Sequence, residues 1–124
     1  MTIAYICVVI MIFIPLFCTG YAKFSGKGYD NRSPREYLER LEGKAKRAHF
    51  AQLNSFENFP PFAAGVIVAH QLHAAQTAID SLAVAFVLMR ILYVFFYIQD
   101  QPAWRSTVWV IGLMITVMLF FIGA

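Results

Sequence analysis

An all-α integral membrane protein, a bundle of four transmembrane helices, is the fold class the sequence predicts, on three observations. The 124 residues are 60% hydrophobic and only 14% charged, against about 45–50% apolar in ordinary globular domains, and the mean hydropathy is +0.62. The charges leave long gaps. None falls between Met1 and Ala22, between Asn58 and Ile79, or between Ser106 and Ala124, and Arg90 stands alone between Ser81 and Gln99. Each gap reaches or approaches the ~20 residues a helix needs to cross ~30 Å of hydrocarbon. Finally, the alternating ~10-residue segments of a membrane barrel are absent. The expectation is one domain over residues 1–124, with spans at approximately 2–22, 50–76, 81–99 and 103–123 and a polar loop at 23–49.

Span one has no basic leader and no small-x-small cleavage site, so it reads as a retained helix rather than a signal peptide. Cys18 lacks the small residues that should precede a lipidated cysteine. Cys7 and Cys18 are eleven positions apart, roughly 16 Å of helical rise, too far for a disulfide. They read as packing residues. The loop at 23–49 carries Lys23, Lys27, Arg32, Arg35, Arg40, Lys44, Lys46 and Arg47, and Arg105 follows the turn Gln99-Asp100-Gln101-Pro102. The other side offers only Asp80, His70 and His73. By the positive-inside rule the loop and the turn face the cytoplasm and both termini lie outside, as in a protein of the bacterial inner membrane. The net charge of +3 therefore needs no nucleic acid, and the basic loop sits against anionic headgroups.

Inside the loop, Ser33-Pro34-Arg35-Glu36 has the form of a capping box with proline at the first helical position. It predicts a short helix from near Pro34 that bends at Gly43 into span two. Asn31-Arg32-Ser33 matches a glycosylation sequon, but Pro34 and the cytoplasmic side argue against its use. Pro60 and Pro61 fall inside span two and predict a kink or a loosened turn. Asp80-Ser81 reads as the cap of span three. Pro102 starts span four, and Trp104 belongs to the interfacial aromatic belt.

Polar residues at membrane depth are unfavourable to desolvate and usually mark function. On span two, Arg47, Asn54 and Glu57 share one helical face with Phe50, and on span three Arg90, Tyr93 and Tyr97 form a second stripe. Arg105 enters span four from the same side. One reading is structural: Glu57 and Arg90 neutralise each other, while Asn54 and the tyrosines satisfy hydrogen bonds between helices. The other is that the set forms a site for an anion and an amine, open to the cytoplasm. His70 and His73 stand at metal-ligand spacing, but no third ligand is evident, so an interfacial role is preferred and no metal site is expected.

The residues Gln52-x-Asn54-x-x-Glu57 of span two, Arg90-x-x-Tyr93-x-x-x-Tyr97 of span three and Arg105-Ser106 give the chain its resemblance to a known family. It resembles the MAPEG superfamily, membrane-associated proteins in eicosanoid and glutathione metabolism, and among them the short bacterial-type members. The resemblance covers all four spans and implies a homotrimer with glutathione bound between neighbouring subunits. Carried over by position, Asn54, Glu57, Tyr93 and Tyr97 would hold the tripeptide, with Gln52 and Lys23 at matching positions. Arg105 would stabilise the thiolate, beside Ser106, and Arg90 belongs to the shared motif. Phe50 stands where glutathione-using relatives carry an arginine, a loss for which Arg47, one turn earlier, offers a substitute.

The resemblance thus implies a glutathione-dependent transferase or peroxidase acting on lipophilic electrophiles. The alternative is a noncatalytic trimeric binder of lipids or lipophilic small molecules. A small four-helix multidrug transporter would need an acidic residue within its first span, and Met1 to Ala22 has none.

Overall fold

The computed structural model describes residues 1–124. The chain is all-helical: α1 (Ile3–Ser25), α2 (Pro34–Glu39), α3 (Gly43–Gln71), α4 (Gln76–Ile98) and α5 (Pro102–Phe121). Helix α3 packs against all three other long helices, α1 against α4, and α4 against α5. Three helices, α1, α4 and α5, are long and apolar enough to cross a membrane. Helix α3 is the longest at 29 residues, but Asn54, Glu57, Asn58, His70 and Gln71 leave even its more apolar half too polar to join them.

The apolar interior has two parts. Towards the end where α1 begins, Met11, Phe62, Val66, Phe86 and Leu119 pack together, with the Phe62 and Phe86 rings stacked at 4.0 Å. Small residues let the helices approach: a Cβ at Gly65 would sit 3.1 Å from that of Leu119. Towards the basic loop, Cys18, Ala22, Leu38, Ala48, Ala51 and Val94 form the second part. Both cysteines are free and buried, as the sequence suggests.

Several local expectations change. Pro34 does open α2, but the Ser33 side chain makes no capping hydrogen bond. Nor does the chain bend smoothly at Gly43. Helix α2 stops at Glu39 and α3 starts afresh at Gly43, whose φ of +61° is the left-handed region glycine tolerates. The α2 carbonyls of Leu38 and Glu39 face Lys46 Nζ. Helix α3 is continuous through Pro60 and Pro61, which leave two of its positions without an N–H donor. Asp80 does not cap its own helix either. Helix α4 begins at Gln76, leaving Asp80 inside its first turns, where Oδ1 accepts the Ala4 N–H at 2.9 Å. Asp80 thereby satisfies one of the amides left open at the α1 N-terminus, and Thr2 Oγ1 caps another, from Tyr5, at 3.2 Å.

Candidate functional site

Arg90, Tyr93 and Tyr97 lie at i, i+3 and i+7 along α4, a spacing that keeps them on one face. Opposite them α3 presents Asn54 and Ser55. Arg90 is 2% exposed, and its Nη2 donates to Asn54 Oδ1 at 2.9 Å and to Ser55 Oγ at 3.2 Å. Both acceptors are themselves held. Ser55 Oγ donates to the Ala51 carbonyl at 2.8 Å, and Asn58 Nδ2 donates to Asn54 Oδ1 at 3.0 Å.

From Arg90 a column of two aromatic rings capped at each end by a cation runs towards the basic end. The guanidinium carbon lies 4.2 Å from the Tyr93 ring centre, within range for cation–π attraction. Tyr93 meets Tyr97 edge-to-face at 5.6 Å, and Arg105 covers Tyr97 at 4.4 Å. Phe50 flanks Tyr97 at 6.3 Å between ring centres and is 41% exposed. The column places two guanidinium groups at its ends, one buried and one half-buried.

The buried guanidinium is incompletely matched. Its hydrogen-bond partners are both neutral, and Nε is buried without any partner. The expected Glu57–Arg90 neutralisation is not what holds Arg90: Glu57 sits exposed on the flank of α3. Shared depth on two helices gave the sequence reading no information on reach, and a serine and an asparagine stand nearer. A buried, hydrogen-bonded cation without an anionic partner is unfavourable by several kcal/mol.

The remaining sequence-selected residues are dispersed in the single chain. Arg47 Nε donates to the Ile98 carbonyl at 3.1 Å, satisfying a carbonyl at the C-terminal end of α4. Gln52 pairs with His49 Nδ1 at 3.2 Å; two positions from Asn54, it points to the other side of α3. Lys23 Nζ lies over the Tyr29 ring at 4.9 Å. Ser106 is exposed beside Arg105. Sequence reasoning missed Ser55 and Asn58. The signal for Ser55 was present: Ala48, Ala51 and Ser55 form a small-residue stripe on α3, the pattern of close helix approach.

At the far end of the bundle a second polar group is internally closed. His70 Nδ1 faces the Val66 carbonyl at 2.8 Å, which can only accept, so this nitrogen carries the proton. Nε2 then receives Thr2 Oγ1 at 3.1 Å and Gln76 Nε2 at 3.3 Å. Gln76 also donates to Asp80 at 2.8 Å, and Tyr5 stacks on the imidazole at 4.2 Å. His73 stands apart, exposed in the turn with a φ of 55°, and no cluster of three potential metal ligands occurs.

Among known proteins, the profile of the family described as "MAPEG family" matches residues 1–124, the whole chain. No curated protein and no solved structure gives a significant match.

Proposed function

The chain belongs to the MAPEG family, and from that premise we propose that it is a glutathione-dependent transferase or peroxidase of lipophilic electrophiles. It works as a homotrimer in which α3 is a fourth membrane-crossing helix beside α1, α4 and α5. The basic-loop end faces the cytoplasm of a bacterial cell, and both termini lie outside.

The observation that carries this reading is Arg90, a buried cation with neutral partners and an unpartnered Nε. Glutathione carries two carboxylates and one ammonium. A carboxylate at Arg90 would complete its pairing through charge-assisted hydrogen bonds, and Glu57 suits the ammonium. Asn54, Tyr93 and Tyr97 flank the same column. Gln52 and Lys23 lie away from it in one chain, so a site between adjacent copies is the arrangement in which they also contribute. Arg47, engaged with Ile98, completes the basic rim.

Arg105 supplies the chemistry. A thiol of pKa about 8.5 is mostly protonated at neutral pH, whereas the thiolate is the nucleophile. A permanent cation beside the sulfur, away from bulk water, stabilises the thiolate and lowers that pKa. In conjugation the sulfur forms a bond to the electrophilic carbon as the leaving group departs. Ser106 stands next to Arg105 and can donate to the same sulfur or to the departing group.

The test is glutathione binding to purified protein in detergent, followed by the ultraviolet band of the bound thiolate. A thiolate present at pH 7 is expected, its titration midpoint moving up by about one to three units in Arg105→Ala while binding persists. Bound glutathione that ionises identically in both proteins would remove Arg105 from the role. A second reading, a noncatalytic binder of lipophiles, is favoured by Phe50, an exposed ring against Tyr97 at a position that suits a charged donor in a peptide-binding site. Absence of any glutathione binding would select it.

A further inference from the structure

Between α1 and α4 runs a groove of about 470 Å³. Phe13, Phe17, Ile91 and Phe95 line it, and Tyr21 and Gln99 are among its few polar residues. These aromatic and aliphatic side chains are largely exposed. Tyr21 does not end the concavity. With Phe17 it borders a hollow of about 510 Å³ reaching Ser25, and with Ser25 it borders a pocket of about 600 Å³ whose walls include Lys27, Arg40 and Lys44. Glu42 is the one acid of that pocket, and all three cations are exposed.

We propose that groove and pocket together form a site for an anionic phospholipid, with an acyl chain along Phe13, Phe17 and Phe95 and the phosphate among Lys27, Arg40 and Lys44. The polarity gradient fits this ligand: the apolar floor is continuous through Tyr21 with three cations opposed by one carboxylate. A lipid presents that sequence of hydrocarbon and then negative charge, and a basic cluster at a membrane surface attracts it by about fivefold per Lys or Arg. The site shares no residue with the Arg90 column, so it stands or falls apart from the glutathione reading.

The experiment measures by mass spectrometry the lipid retained by the full-length protein from micelles containing phosphatidylglycerol and phosphatidylcholine of identical chains. Enrichment of the phosphatidylglycerol by about tenfold or more is expected. It should fall to near parity in the surface variant Lys27→Gln/Arg40→Gln/Lys44→Gln, which leaves the core untouched. Phe17→Ala should lower retention of both lipids while keeping the preference. Equal retention of the two lipids by the unmodified protein overturns the proposal. So does full displacement of phosphatidylglycerol by inorganic phosphate, which would make this a site for the free anion. Efficient disulfide joining of two copies through Phe17→Cys would overturn it too, by making the groove a subunit contact.

Discussion

The two ends of the bundle treat their polar residues in opposite ways. At the far end Thr2, His70, Gln76 and Asp80 satisfy one another and the start of α1, with every hydrogen bond returning to the chain. At the basic end Arg90 keeps a buried donor without a partner, Glu57 stands exposed, and the cation–aromatic column leads to Arg105. Both groups tie helices together across long stretches of sequence, so long range alone does not separate structure from function. Completeness does. A closed network stabilises the fold, whereas a buried donor left without a partner is the exception that calls for a further explanation.

The largest expected effect comes from removing the open charge. Arg90→Met keeps much of the volume but removes the buried cation. Thermal unfolding in detergent should show little loss or a gain, since apolar replacement of poorly paired buried ions is often neutral or stabilising. Glutathione affinity should fall by about 2–5 kcal/mol, the range for truncating one member of a buried charge pair. Strong destabilisation with unchanged affinity would make the basic end as structural as the far end.

The far end should answer in reverse. Asp80→Leu removes the acceptor of the Ala4 N–H and of Gln76, so stability should drop by about 1.5–3 kcal/mol with glutathione affinity preserved. A loss of affinity at equal stability would dissolve the contrast between the ends. The smallest effect belongs to Ser55→Ala, which deletes the longer of the two Arg90 bonds and leaves Asn54 in place. Affinity and stability should each change by about 0.5–1.5 kcal/mol, and an effect as large as that of Arg90→Met would make Ser55 the principal anchor.

The all-helical fold was legible because charge-free runs are long, and three of them became helices able to cross a membrane. Helix α3 was harder to bound. Its first turns carry Lys44, Lys46 and Arg47 among small buried alanines, an amphipathic start that hydropathy alone misses. The column was legible in part, since the spacing of Arg90, Tyr93 and Tyr97 fixes a shared face. Spacing gives direction but not partner, so the Asn54 and Ser55 bonds, the Arg47 contact with Ile98 and the role of Asp80 had to come from the structure. Each depends on how two distant helices lie against each other.

The bond from Ala4 to Asp80 joins residues 76 positions apart, and that separation has a meaning in time. During synthesis α1 is complete long before the segment bearing Asp80 exists. At about 5–20 residues per second, the interval is roughly four to fifteen seconds. For that period Thr2 alone caps the nascent helix, and the Ala4 amide must rely on water or headgroups. The arrival of α4 then closes the helix made first, so the chain's beginning is finished only when α5 alone is still to come.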